Sequence, residues 1–302
     1  MSAPDAKPAE FAMPGAPATF WQDVYLLTKP RLSALALLAV MSGYFMADGG
    51  VFKLTTLFET LVGTALVAVG ASMLNQLLER FSDQRMQRTA NRPLPAGRMN
   101  PGTALSIGAA AAIAGLLLLA VRVNIETSLL AALTLGLYVF AYTPLKPIST
   151  LNTLVGAIPG ALPPLIGWAA AADGEIGLKA ATLFAILFIW QLPHFLAIAW
   201  LYRKDYAAAG LKMLPTVDPD GRSTGRQMVI HSAALLPVAL LPFFREMTGA
   251  LYFFSAFLLG IVFFSTCVNF LIRRDDRAAR IVFVVSIAYL PLLLAVMMFD
   301  KI

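Results

Sequence analysis

Sulfur and imidazole chemistry are scarce in this chain. It carries one cysteine, Cys267, and two histidines, His194 and His231, in 302 residues. One cysteine excludes a disulfide framework, a zinc knuckle or an iron–sulfur cluster held by this chain alone. Two histidines argue against a multi-histidine metal centre. Charge is scarce too: 13% of residues are Asp, Glu, Lys or Arg, against about 25% in soluble globular proteins. What is abundant is apolar surface, with 59% hydrophobic residues and a mean hydropathy of +0.74. A soluble two-domain enzyme is therefore excluded, and the reading is an all-α polytopic membrane protein in a lipid bilayer. The net charge of +6 would suggest a nucleic-acid partner in a soluble protein. In a membrane protein it points first to basic cytoplasmic loops, and no nucleic-acid partner is expected.

Residues 1–19 are rich in Ala and Pro, with Asp5, Lys7 and Glu10 as the only charges. They lack the apolar stretch of a signal peptide and read as a disordered cytoplasmic tail. Residues 20–302 read as one transmembrane domain. Nine continuous apolar segments follow, at 32–47, 56–78, 102–121, 125–142, 152–172, 178–201, 228–244, 250–272 and 279–299. Each is about the length of a helical span. The runs do not alternate, which excludes a barrel. With nine spans, 18 of the 23 Lys and Arg fall on the N-terminal side. That bias predicts a cytoplasmic N-terminus and a periplasmic C-terminus in a bacterial inner membrane. The two long loops, 79–101 and 202–227, are then both cytoplasmic, and function is expected there.

The second span runs on into polar sequence. Asn75, Glu79 and Asp83 are four residues apart. On a helix this places them on one face, each about 6 Å further along the axis. An amide and two carboxylates make an oxygen stripe suited to Mg²⁺, which binds through one or two carboxylates plus phosphate oxygens. Arg88 and Arg92 repeat the spacing, and guanidinium forks match phosphate. Pro93 and Pro95 are expected to stop the helix. A solvated helix end with i,i+4 charge pairs is the plainer reading. Asn75 counts against it, because polar residues inside a span face a cavity or a partner. After the sixth span comes a parallel arrangement. Asp205 is followed by Gly210 and Lys212, a carboxylate, a turn residue and a cation toward phosphate. The two loops together could hold Mg²⁺ and grip a diphosphate, with 202–227 as a lid.

These blocks resemble the UbiA-type membrane prenyltransferases. The stretch 75–93 is similar to the family's first aspartate-rich motif, with Gln76 and Glu79 at the first two acidic places and Asp83 at the third. The variant resembles the branch that farnesylates haem b. So do Thr28-Lys29-Pro30-Arg31, Tyr142-Thr143 with Lys146, Gly160 to Trp168, Trp190 to Phe195, and Asp205-Tyr206 with Gly210. The family commonly carries Lys-Arg after span four, and here Pro147 follows Lys146. Lys212 stands where that branch often has an uncharged residue.

The resemblance implies a bundle of nine transmembrane helices whose central cavity opens to the cytoplasm. It implies transfer of the farnesyl group of farnesyl diphosphate to a vinyl of haem b, giving haem O and diphosphate. Asn75, Glu79, Asp83 and Asp205 would hold Mg²⁺. Arg88, Arg92, Lys146 and Lys212 would bind diphosphate, and His194 would bind haem. A downstream haem-modifying enzyme or terminal oxidase would take the product. Alternative readings are another ring acceptor, such as a quinone precursor or a chlorophyll-type ring, and a transporter. A transporter predicts acids within the spans and inverted repeats, and neither is evident.

Overall fold

The computed structural model describes residues 19–47 and 52–302, so nearly all of the tail expected to be disordered lies outside the described residues. Among the described residues every element is helical, apart from one isolated bridge between Thr248 and Lys301. Helices α1 (Phe20–Thr28) and α2 (Pro30–Met46) form a bent pair, followed by α3 (Leu54–Asp83) and α4 (Pro101–Arg122). The fourth apolar segment is α5 (Ile125–Gly136), a π-helical turn (Leu137–Tyr142) and α6 (Thr143–Leu145). The fifth is α7 (Asn152–Ala161) and α8 (Pro163–Ala171), and the sixth is α9 (Leu178–Leu201). The short helices α10 (Arg203–Ala208) and α11 (Leu214–Val217) lead into α12 (Arg222–Phe244), α13 (Ala250–Arg273) and α14 (Asp276–Phe299). Eight segments are long and apolar enough to cross a bilayer, and the α1–α2 pair, bent by 47°, makes nine if it is one span.

Tyr44 near the end of α2 bonds Lys53 at the start of α3. Lys301, after α14, donates to the Phe45 and Ala47 carbonyls at 2.6 and 3.0 Å. The start of α1 is instead tied by Asp23 to Arg98, beyond the far end of α3 (3.0 Å). The described chain therefore begins at one end of the bundle and finishes at the other.

Close helix approach needs small residues in a membrane, where burying apolar side chains against lipid-like surfaces gives little drive. At the α2–α8 crossing, a Cβ on Gly43 would lie 1.9 Å from the Pro164 carbonyl oxygen, and one on Gly167 would lie 1.8 Å from that of Val40. Large aromatics such as Phe140, Phe254 and Phe299 remain on the outer surface, as expected where the solvent is hydrocarbon. The α9, α12, α13 and α14 helices bury Tyr252, Phe263, Phe270 and Tyr289 between them.

Two boundaries differ from the sequence expectation. Helix α3 stops at Asp83, ten residues before Pro93. The Thr89 hydroxyl donates to the Asp83 carbonyl at 2.9 Å, and Gln84 donates to the Pro95 carbonyl at 3.0 Å. Thr89 thus takes the helix's last acceptor, Gln84 ties the helix end to the turns that follow, and 84–98 is a chain of turns. Helix α12 starts at Arg222, not at 228, because the Asp218 carboxylate accepts the Thr224 amide and hydroxyl, both at 2.7 Å. Burial pushes the Asp218 carboxyl up, but these Thr224 donors outweigh it and hold it below the ordinary aspartate value. The second long loop is consequently a strap of two short helices.

Candidate functional site

A cavity of about 140 Å³ opens where α3 ends. Its floor is the predicted stripe, with Asn75, Glu79 and Asp83 all in the lining. An unbroken α3 delivers them, since four-residue steps keep side chains on one helix face. Gln76, one residue round the helix, points elsewhere. Its amide donates to the Leu27 carbonyl at 2.8 Å and packs α3 against α1. The place where the resembling family carries an acid here serves helix packing.

Four cations face the stripe: Lys29, Arg88, Arg92 and Lys146. Arg92 bonds Asp83 at 2.8 Å, and Lys146 is in direct contact with Glu79. Lys29 donates to Asn75 Oδ1 at 3.1 Å. Lys146 also stands 4.3 Å over the Tyr142 ring, which packs against Gly156. Burial works against the Lys146 charge, but Tyr142 and the Glu79 carboxylate more than compensate. The ammonium is held above the ordinary lysine value. Arg88 lies 4.6 Å over Tyr202. Four basic side chains against two carboxylates leave the cavity positive, which suits a multiply charged anion.

The cavity's cover comes from the strap. Tyr206 and Leu211 complete the lining, and Met86, Ala209 and Leu211 form a small apolar cluster there. Burial raises the Tyr206 phenol, so it stays protonated. The strap is clipped down by backbone. The Lys212 amide donates to the Lys146 carbonyl at 2.8 Å, and Asn152 donates to the Lys212 carbonyl at 2.9 Å.

The structure does not bring every expected residue together. Asp205 and Lys212 are absent from the lining. Helix α10 presents Tyr206 to the cavity in place of Asp205, which makes no ion pair among the described residues. Lys212 contributes backbone bonds while its side chain is exposed. His194 is also outside this cavity. Its ring stacks between Trp190 and Phe283, at 5.2 and 5.4 Å, and its Nδ1 lies 2.7 Å from Ser286 Oγ.

Five lining residues, Lys29, Met86, Tyr138, Tyr206 and Leu211, were not expected in the site. Lys29 has φ +48°, left-handed for a non-glycine residue, a strain on the order of 1 kcal/mol. That backbone turns the chain between α1 and α2 and aims the ammonium at Asn75. One signal was readable: a residue before proline, here Pro30, is pushed out of the right-handed helical region. Tyr138 arrives through the π-helical turn, which helical periodicity does not foretell.

The donor set can be tested against a divalent ion. All three stripe residues offer hard oxygen, but they span about 12 Å of helix axis. Among the described residues no group of three or more carboxylate, imidazole or thiol side chains converges on one point. The stripe therefore fits ions that each take one or two protein oxygens and complete their shells with phosphate oxygens and water, which is the habit of Mg²⁺.

Residues 36–293 match the UbiA prenyltransferase family. A protein of Solibacter usitatus (strain Ellin6076) named protoheme IX farnesyltransferase is 46% identical over 289 residues, covering 93% of this chain and 99% of the relative. The fold is similar to a solved structure of digeranylgeranylglyceryl phosphate synthase, with TM-score 0.77, 15% identity and coverage of 93% and 98%. It is also similar to a UbiA homologue from Archaeoglobus fulgidus bound to GPP and Mg²⁺, with TM-score 0.63, 15% identity and coverage of 91% and 99%.

Proposed function

The chain belongs to the UbiA prenyltransferase family, and from that premise we propose that it transfers farnesyl from farnesyl diphosphate to a vinyl group of haem b, giving haem O. The observation that carries this reading is the cavity's basic lining at the end of an apolar bundle: four basic side chains over two already paired carboxylates. It suits a ligand with a charged head and a long apolar tail. The 46% identity to a named protoheme IX farnesyltransferase supports the choice of donor and acceptor.

In this reading Asn75, Glu79 and Asp83 hold Mg²⁺, an ion present with GPP in the Archaeoglobus fulgidus homologue. Bound there, the metal neutralises the diphosphate and makes it a better leaving group. Lys29, Arg88, Arg92 and Lys146 donate charge-assisted hydrogen bonds to the phosphate oxygens and take up charge as the C1–O bond breaks. Met86 and Leu211 keep water from the allylic cation. The vinyl carbon then bonds to farnesyl C1, water adds to the resulting cation, and a proton is released. Asp205 sits one residue from the lining as the acid on the strap. Lys212 serves through its backbone.

His194 is proposed to bind haem. Ser286 Oγ donates to the Phe283 carbonyl at 2.7 Å, so toward His194 it can only accept. Nδ1 therefore carries the proton and Nε2 keeps its lone pair, the tautomer a haem ligand needs. A His194→Ala protein whose bound-haem spectrum is unchanged removes this role.

The site faces the cytoplasm of a bacterial inner membrane, with the C-terminus periplasmic. The basic-loop bias supports that orientation, and reporter fusions at both termini test it. The reaction is tested by supplying membranes with haem b, farnesyl diphosphate and Mg²⁺. The expected product is heavier than haem b by a farnesyl group and a hydroxyl group, and chelator abolishes it. Product formation only with a quinone precursor would transfer the reading to another acceptor. Undiminished turnover in Glu79→Ala or Asp83→Ala would refute the metal assignment.

A further inference from the structure

Asn75 has two chemically opposite ends. Its Oδ1 attracts a cation and its Nδ2 repels one. Which end faces the cavity is decided by neighbours on both sides. In the cavity, Lys29 Nζ and the Tyr138 hydroxyl both donate to Oδ1, at 3.1 and 3.3 Å. As an ammonium, Lys29 has no acceptor and can meet only the oxygen. On the buried side, Nδ2 donates to Thr143 Oγ1 at 3.0 Å.

Thr143 is committed to that role by the π-helical turn. Its hydroxyl donates its single proton to the Tyr138 carbonyl at 2.8 Å, and its backbone N–H bonds to the same carbonyl, five residues back. With its proton spent there, the hydroxyl offers Asn75 only lone pairs. The two sides differ in permanence. Lys29 and Tyr138 hold the very oxygen that a metal ion takes, so they must let go when it binds. Thr143, 5% exposed and behind the amide, does not have to move.

We propose that Thr143 is a positioning residue that orients the Asn75 amide with its oxygen toward the cavity, and thereby sets the affinity of the site for its divalent ion. This rests on the reading of Asn75 as a metal ligand, and the variants below separate the two. Support groups behind metal ligands typically carry 10–100-fold in affinity.

The test is Mn²⁺ binding, read by electron paramagnetic resonance on the solubilised full chain. Farnesyl thiodiphosphate, whose sulfur link resists ionisation, is present throughout. Thr143→Val removes the acceptor at nearly constant shape. It is expected to weaken Mn²⁺ by about 10–100-fold, while Thr143→Ser, which keeps the hydroxyl, stays within about threefold of the parent. In an Asn75→Asp background the two carboxylate oxygens are equivalent, so adding Thr143→Val should change affinity by less than about threefold. Mn²⁺ affinity unchanged in Thr143→Val, while Asn75→Ala loses it, would overturn the positioning role and leave the ligand reading standing. An equal loss from Thr143→Val in both backgrounds would mean general packing damage and overturn it too. Unchanged affinity in Asn75→Ala would remove the ligand reading, and the positioning role with it.

Discussion

Lys146 and Glu79 form the cavity's most telling pair, because the same contact serves folding and the proposed chemistry. Their side chains are 13% and 12% exposed. Replacing Lys146 by Met, of similar length and flexibility, leaves the Glu79 carboxylate buried beside a neutral group. Breaking a buried pair from one side costs about 3–5 kcal/mol. Glu79→Gln should be milder, about 1–2 kcal/mol, because an amide oxygen can still accept from Lys146. The double variant Lys146→Met/Glu79→Gln removes both charges of the pair together and should recover to within about 1 kcal/mol of the parent. Turnover should not follow. Losing one charge-assisted hydrogen bond to the departing diphosphate is worth about 1.5–3 kcal/mol, or about 10- to 150-fold in kcat/KM. The double variant also lacks a metal ligand. Stability is read by sodium dodecyl sulfate titration in mixed micelles, and turnover by the mass of the farnesylated product. A Lys146→Met protein as stable as the parent would refute the pairing argument. A double variant with parental turnover would refute the diphosphate role.

Three further outcomes are expected. A Cβ on Gly156 would lie 2.6 Å from Tyr142 ring carbons, so Gly156→Ala must displace the ring under Lys146. A destabilisation of about 1–3 kcal/mol is expected, with a raised KM for farnesyl diphosphate. Gly136→Ala, which meets nothing within 4 Å, is the harmless control in the same assays. Asp218→Ala should cost about 1–3 kcal/mol at neutral pH, because the Thr224 amide and hydroxyl lose their acceptor. The Asp218 carboxyl is held below its ordinary value of 3.8. Its contribution is therefore present above that pH and lost as the pH falls through the depressed value. Parent and variant should converge in acid, and a gap that persists there refutes the cap. Finally, each proposed metal ligand already has one oxygen held by Lys29, Lys146 or Arg92. Calorimetric titration should therefore find Mg²⁺ bound more weakly alone than with inorganic diphosphate, which gives the released cations new partners. Equal affinities would contradict this.

The spans and the oxygen stripe were legible in the chain for the same reason: both are properties of a single helix. Hydrocarbon demands about 20 apolar residues per crossing, and a four-residue step keeps Asn75, Glu79 and Asp83 on one face wherever the helix lies. The basic loops were legible too, as was the family resemblance, which rests on local blocks. Membership of the cavity is a different kind of fact. The Lys29–Asn75, Glu79–Lys146 and Asn75–Thr143 contacts join residues 46, 67 and 68 apart. No local pattern encodes which cation meets which carboxylate. Asp205 and its neighbour Tyr206 look equally eligible until α10 is placed, and then only Tyr206 faces in. Lys212 reads as a charge and acts through its backbone. The orientation of Asn75 was likewise beyond reach, because it depends on a carbonyl that only a π-helical turn exposes to Thr143. Composition and periodicity settled the solvent and the helices, and placed the oxygen stripe on one helix face. Helix packing, with the few hydrogen bonds that stop α3 and fold the strap, settled which side chains share the cavity and which way they point.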